Sequence, residues 1–456
     1  MPNILEWAAL YSLVLLHKGD WSSAVSPLTA QSVSGRVVVV FPTQSFQAPP
    51  MITWLSISAR SAPSASIRLH ASWISQSNLL LGGEEFWLEL PAAFRASTTG
   101  TYNTALLVKS DYDVMVTSWH SFTAQETTPV LVLPPRWAAT FFLFPSHTVR
   151  FFAVMALQGG TVVTVHARGA SPPASRTERL NIFEVFFSAE TNFQPHLLTA
   201  THPVLVYAGF NALAPPGPST KLPPGDKFFN DYVLPLESWS QTYVSVAVEG
   251  SLLVTSSSPV NVTFSQCDSS PPPQETTVSL ETAQSTMVPV QENCPVHVAA
   301  TGPVHVLQSF AQGDVVFNVL AVEQFLPTYT IIKGKTQPPT SITIIIKQTQ
   351  LSGLRFLGET TTYSSHTSVY TVLDYGVYTM SVQQGGRVTV FHEQGEKFGL
   401  YAESTSTRGL KAWLKGGMGL ATGTWGCVTG LLAPTPGDQV DNDCDNRVDE
   451  ELTEQT

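Results

Sequence analysis

Charge is scarce in this sequence. Asp, Glu, Lys and Arg make up 12% of its 456 residues, about half of the ~25% usual in soluble domains. Helix-rich proteins carry Lys and Glu on their solvent faces. Here Ser, Thr, Gln and Pro hold those places, as they do on the polar faces of strands and in turns. Lys and Arg number 23 against 34 Asp and Glu, a net charge of −11. No basic stripe runs through the chain, which excludes nucleic acid as partner and disfavours an anionic membrane surface. No amphipathic helical repeat follows Leu16. The long uncharged stretch at 416–433 is too rich in Gly and Thr to span a bilayer, so no membrane anchor is expected.

Signatures of catalysis are missing too. There is no G-x-S-x-G, no P-loop, no dinucleotide fingerprint and no catalytic-cysteine pattern. His392-Glu393 opens an H-E-x-x-H pattern, but Glu396 stands where the second zinc ligand belongs. Glu84 and Glu85 are carboxylates a glycosidase could draw on, and that chemistry needs two carboxyls at a set separation across a cleft. The chain is expected not to be an enzyme, with a carbohydrate-active hydrolase as the alternative from that class.

What the sequence does contain is apolar residues, 43% of the chain, enough to bury a core. They alternate with polar ones in short runs at 36–41, 66–73, 104–119, 161–166, 203–208, 342–347, 377–382 and 387–392, the period-2 pattern of strands. A P-V-x-V strand recurs, complete as Pro203-Val204-Leu205-Val206, Pro259-Val260-Asn261-Val262 and Pro303-Val304-His305-Val306, and as Val114-Met115-Val116 without the proline. A Leu-Pro step followed by Trp and an aromatic occurs at Leu133-Pro134 (Trp137, Phe141) and Leu234-Pro235 (Trp239, Tyr243), with fainter copies at Leu90-Pro91 and Leu326-Pro327. Gly159-Gly160 and Gly385-Gly386 each lead into a Val/Thr strand and suit the positive φ angles of a tight hairpin turn. The spacing is uneven, which argues against a solenoid or propeller of fixed period. These features predict an all-β chain of tandem diverged antiparallel β-sandwich-like modules, at 31–128, 129–230, 231–325 and 326–415. A candidate signal peptide at 1–26, lacking a basic n-region, precedes them, and a Gly-rich segment with an acidic tail at 416–456 follows.

The four cysteines fall into two local pairs, Cys267 with Cys294 and Cys427 with Cys444. Each pair can close a disulfide loop worth roughly 3 kcal/mol, the alternative being four buried thiols. Asn261-Val262-Thr263 is an N-glycosylation sequon, and strand alternation points Asn261 away from its buried valine neighbours. His305 and His297 have the settings of ordinary strand residues.

SGRVVVVFP at 34–42, LLVKSDYDVMV at 106–116, HLLTATHPVLVYAGFN at 196–211, FFNDYVLPLESWSQTYVSV at 228–246, GPVHVLQSF at 302–310 and GVYTMSVQQGGRVTVFHEQGEKFGLYA at 376–402 together resemble the N-terminal domain of the IgGFc-binding protein family, over about 34–415. The resemblance implies a secreted, non-enzymatic protein associated with mucosal or innate defence and with binding glycoproteins. The cysteine-rich von Willebrand factor D modules of the large relative do not appear in this sequence, so disulfide-linked networking is not carried over. No residue motif for Fc binding exists to match. The expected function is adhesion or recognition of extracellular glycoproteins, glycans or microbial surfaces, with a matrix or mucus structural role as the alternative.

The acidic tail looks like the D-N-D-C-D-G metal-binding repeat of extracellular proteins. Asp441, Asp443 and Asp445, with Asp449 and Glu450, supply the oxygen ligands that Ca²⁺ favours. Asn446 replaces the turn glycine, and Leu452 stands where an EF-hand has its bidentate Glu. The alternative is a solvated acidic tail.

Overall fold

Val, Ile, Thr, Phe and Tyr in alternation fit a pleated, half-buried surface, and the computed structural model is built almost entirely of antiparallel strands. It describes residues 37–40, 52–59, 64–71, 74–81, 85–91, 96, 98–110, 114–123, 126–133, 137–145, 149–167, 175–189, 193–211, 228–267, 274–310, 316–331, 341–358, 363–382, 388–405 and 411–415. Helix among these is limited to short 3₁₀ turns.

One pairing scheme of seven strands recurs four times. The second module comprises Ala139–Leu143, Val149–Ala156, Thr161–Ala167, Ser175–Leu180, Val185–Ser188, Pro195–Asn211 and Phe228–Tyr232. Its long sixth strand serves two layers. The first half pairs with the first and third strands, and the second half pairs with the second and seventh. The fourth strand then pairs with the third and the fifth with the second.

The third module repeats every one of these pairings with Ser240–Val244, Gly250–Ser256, Val260–Gln266, Gln274–Leu280, Ser285–Val290, Val296–Phe310 and Val316–Asn318. In the first module the long strand is divided into Ala105–Ser110 and Val114–Thr123, so the two layers separate as four-stranded sheets. In the fourth it is divided into Val388–His392 and Gly399–Thr405, with Gly395 at φ +75° between them. There the fourth strand, Tyr363–Val372, pairs with the fifth instead of the third.

Buried side chains between the layers hold each sandwich. Leu55, Ile57, Ile67, Leu69, Val108 and Val116 fill the first. Phe142, Phe152, Val154, Val163, Phe186 and Val206 fill the second. Ile342, Ile344, Ile346, Val390 and Leu400 fill the fourth. Each such side chain contributes about 1.5–3 kcal/mol on burial. In the second module, on the sheet face opposite that core, the long strand passes so close to Phe151 that a Cβ on Gly209 would lie 2.2 Å from the ring.

The modules are not beads on a flexible string. One cluster of buried residues runs from Ala96 through Trp137, Tyr207, Leu234, Trp239, Val306 and Phe325 to Tyr401. The strand Gly100–Tyr102, which precedes the sixth strand of the first module, adds to the sheet edge of the second at Val185–Phe187. The connections between modules are buried and alike. The amides of Val132, Val233 and Val319 donate to the carbonyls of Val116, Val206 and Val306 at 3.0, 3.0 and 2.9 Å. Each is followed by a buried leucine, Leu133, Leu234 and Leu320, and then by a buried Trp137, Trp239 or Phe325.

This register revises three readings of the sequence. The third copy of the Leu-Pro-Trp step is Leu320-Ala321 with Phe325 and Tyr329, whereas Leu90-Pro91 and Leu326-Pro327 occupy other positions. Val114-Met115-Val116, Val204-Leu205-Val206 and Val304-His305-Val306 are equivalent parts of the sixth strand, but Val260-Asn261-Val262 belongs to a third strand. The uneven spacing came from mixing the two. The Gly159-Gly160 turn closes no hairpin, because the strands it joins lie on either side of the long strand. Of that pair, Gly160 takes positive φ, +79°, and Gly159 does not. Gly385 and Gly386 lie outside the described residues.

Candidate functional site

In the second and third modules the layer containing the first, third, fourth and sixth strands turns a hydroxyl-rich face outward. On the third module that face is organised around Asn261, whose neighbours Val260 and Val262 point into the core. The Asn261 amide donates to Thr301 Oγ1 at 3.0 Å, and Ser279 Oγ donates to Asn261 Oδ1 at 2.7 Å. One row along, Thr263 and Thr277 hydroxyls lie 3.1 Å apart. The second module repeats the arrangement: the Val162 amide donates to Thr201 Oγ1 at 2.9 Å, and Thr164 and Thr177 hydroxyls lie 3.1 Å apart. Such a face presents hydroxyl and amide donors and acceptors on a fixed frame, with Arg179 and Glu275 beside them, which suits hydrogen bonding to polar partners. Asn261 itself is exposed.

The same face becomes buried toward its other end. His297, paired with Ser265 and Val244, is stacked under Tyr375 of the fourth module at 6.1 Å between ring centroids. Burial lowers the His297 pKa against the opposing pull of Asp374 and Glu275, and burial pushes Tyr375 up to about 12. Next to this contact Cys267 and Cys294 form a disulfide with Cα atoms 5.3 Å apart. It ties the end of the third strand to the start of the sixth.

A buried polar clamp joins the second and third modules. Asn318 Nδ2 donates to Asp231 Oδ2 at 2.7 Å and to the Tyr232 carbonyl at 3.1 Å, so its Oδ1 is the acceptor facing His305 Nε2 at 2.6 Å. His305 therefore carries its proton on Nε2 in this contact. Its ring stacks on Trp239 at 5.3 Å, and Trp239 Nε1 donates to the Leu234 carbonyl at 3.2 Å. Sequence reasoning treated His305 as an ordinary strand residue. Its clamp role had no local signal, because its partners come from other strands.

In the connector, Glu237 is partly buried, and burial raises its pKa to about 7. Its Oε2 has no hydrogen-bond partner among the described residues. The corresponding Glu323 accepts a hydrogen bond from Ser240 Oγ.

His392 is structural. Its Nδ1 accepts the amides of Gln394 and Glu396 at 3.2 and 3.3 Å, and Nε2 donates to the Gln350 carbonyl at 2.7 Å. Glu393 is held by Arg355 at 2.6 and 2.7 Å. Glu85 accepts the Trp87 indole N–H at 2.9 Å. Among the described residues no group of three His, Cys, Asp or Glu side chains could hold a metal ion. Asp441, Asp443, Asp445, Asp449, Glu450, Cys427, Cys444, Glu84 and the segments 1–26 and 212–226 lie outside the described residues. No helix among the described residues is long and apolar enough to cross a membrane.

The model of a family described as IgGFc binding protein matches residues 99–402. The match begins at the strand that joins the first module to the second and ends in the last part of the fourth. No curated protein matches the chain. A solved structure of a tetra-tandem repeat in the extending region of a large adhesion protein shares 10% identity, over 79% of this chain and 93% of its own, with a TM-score of 0.10. That score carries no argument about the fold. The family match covers more than half of the chain and spans its repeated modules, and the chain belongs to the IgGFc binding protein family.

Proposed function

We propose that this chain is a secreted, non-enzymatic binding protein that recognises glycoproteins or microbial surfaces in mucus or body fluid. The family match across the second, third and fourth modules carries the reading. The hydroxyl-rich outer faces of the second and third modules support it, since they offer hydrogen bonds to sugar hydroxyls and amides. The prolines at 212–226 and 269–274 lower the ordering entropy of loops that contribute contacts. Ca²⁺ held by Asp441, Asp443, Asp445, Asp449 and Glu450 orders the acidic tail, and Asn261 carries an N-linked glycan on the hydroxyl-rich face.

The test is a binding series with the secreted full chain: mucin-type glycoproteins with and without their glycans, immunoglobulin Fc, and whole bacteria, each with Ca²⁺ and with a chelator. Saturable binding to a glycoprotein or bacterial surface is expected. A folded chain that binds none of them removes the proposal. Intact mass before and after glycosidase treatment reads the glycan, and Asn261→Gln is expected to abolish the shift without changing stability.

The second reading, a matrix or mucus structural protein, is favoured by the buried connectors at Trp137, Trp239 and Phe325, which make a stiff array. Its expected signature is the absence of any saturable ligand together with self-assembly into extended particles.

A further inference from the structure

The connector that leaves the third module is tied back to the start of that module by polar side chains. Glu323 accepts a hydrogen bond from Ser240 Oγ, and Gln324 Nε2 donates to the Ser238 carbonyl at 3.0 Å. Tyr243 braces the arrangement. Its hydroxyl accepts the Ser240 amide at 3.0 Å and donates to the Val304 carbonyl at 2.6 Å, and its backbone bridges to Ala321 of the connector.

The second module lacks all of these ties. Its connector turn, Leu236–Ser238, packs on its first strand, Ala139–Leu143. The registers Ser240↔Val304 and Ala139↔Val204 put alanine at the place of the serine, and Tyr243↔Val298 and Phe142↔Leu198 put phenylalanine at the place of the tyrosine. Glu237 follows Val233 at the same interval as Glu323 follows Val319, so its carboxylate returns to a strand that offers no hydroxyl. Ser238, at the place of Gln324, donates its hydroxyl locally to the Pro235 carbonyl at 2.7 Å.

Glu237 Oε2 is closed off from solvent and has no hydrogen-bond partner among the described residues. The strand under it, ATFFL, has no titratable side chain. Leu234, Pro235 and Trp239 on either side of the turn bring no charge, and Glu323 is engaged by Ser240. Arg136, in the preceding connector, lies outside the described residues. An ionised carboxylate here gives up water with only its own backbone amide in return, the costly case for a buried charge.

We propose that the turn Leu236–Ser238 is a pH-sensitive joint, docked on the first strand of the second module while Glu237 is protonated and released when Glu237 ionises. The Asp231–Asn318 clamp keeps the second and third modules adjoined in both states. Burial raises the Glu237 pKa from 4.5 to about 7 in the docked turn, and release restores the ordinary value. Docking is therefore fully favoured below pH 4.5 and is lost as pH rises through 7. The opening constant is expected to climb on the order of fifty-fold between pH 5 and pH 8.

Hydrogen exchange of the full chain, corrected for the intrinsic pH dependence of exchange, reads this at the amides of Ser238 and Trp239. They donate to the Pro235 and Leu236 carbonyls at 3.0 and 2.9 Å. The amides of Gln324 and Phe325, which donate to Ala321 and Val322 in the same way, are the internal reference. Protection at 238 and 239 is expected to fall by that factor from pH 5 to pH 8, with 324 and 325 unchanged. Glu237→Gln is expected to hold protection at 238 and 239 constant. Ala139→Ser restores the hydroxyl of the third module and is expected to cut the fall to below about ten-fold, since a hydrogen bond to a charged group favours the ionised form. A wild type whose protection at 238 and 239 is flat with pH, as a cation reaching Glu237 would make it, overturns the proposal. So does an equal fall at 324 and 325, a Glu237→Gln chain that keeps the fall, or an Ala139→Ser chain that leaves it whole.

Discussion

The clamp between the second and third modules gives the most demanding test of how the array is held together. Asp231 is 6% and Asn318 1% exposed, and the Asp231 carboxylate accepts the Asn318 side-chain amide at 2.7 Å and the Asn318 backbone amide at 3.3 Å. Asn318→Ala removes the charge-assisted bond to Asp231, the bond to the Tyr232 carbonyl and the acceptor of His305. A hydrogen bond to a charged group is worth about 1.5–3 kcal/mol, and a buried polar group left unpaired costs about 1–3 more. The expected loss is about 3–4 kcal/mol. Asp231→Ala is expected to cost less, about 2 kcal/mol, because Asn318 keeps the Tyr232 carbonyl and His305. In the double variant the penalty for a buried carboxylate that has lost its side-chain amide partner disappears. The three variants are therefore expected to show a coupling of about 1–2 kcal/mol. Equilibrium unfolding in urea supplies the energies, followed by tryptophan fluorescence because Trp239 stacks on His305. Additivity of the two single losses to within about 0.5 kcal/mol would refute the clamp as a unit, and so would an Asn318→Ala chain as stable as the wild type.

Opening the Cys267–Cys294 disulfide, 27 residues apart in sequence, is expected to lower the stability of the third module by about 3.5 kcal/mol from loop entropy; melting of Cys267→Ala/Cys294→Ala measures it. The lowered pKa of His297 means that the unfolded chain binds the proton more readily, so stability is complete above the unfolded value of about 6.5 and falls as pH drops below it. His297→Phe keeps a ring under Tyr375 and should flatten that acid limb in a melting-temperature profile. Glu237, raised to about 7, has the opposite sign: its stabilising protonated state is present at pH 4.5 and is lost as pH rises through 7. Glu237→Gln is expected to gain on the order of 2 kcal/mol at pH 8 and little at pH 4, again read from unfolding midpoints.

Much of the architecture was legible from alternation alone. Of the predicted runs, 37–40, 161–166, 342–347 and 388–392 are strands, because residues i and i+2 must share a face of a pleated chain, whatever it pairs with. Low charge and abundant Ser and Thr gave the solvent faces, and the outward direction of Asn261 followed from Val260 and Val262 on either side. These are local properties, carried by a few consecutive residues.

Strand partners, by contrast, were decided by packing between distant segments. Sequence spacing could not tell that Val260-Asn261-Val262 is a third strand while the look-alikes at 204–206 and 304–306 are sixth strands, since all share one alternation. Nor could it find Leu320-Ala321 as the third connector copy. Ala replaces Pro there, and the position is fixed only by the Val319 amide reaching Val306. Asp231 and Asn318 are 87 residues apart, and a buried polar pair of that kind leaves no pattern in either neighbourhood. Alternation is set by backbone geometry within a strand. Pairing, the shared core and the clamp are set by which surfaces exclude water together, and that is a property of the folded chain.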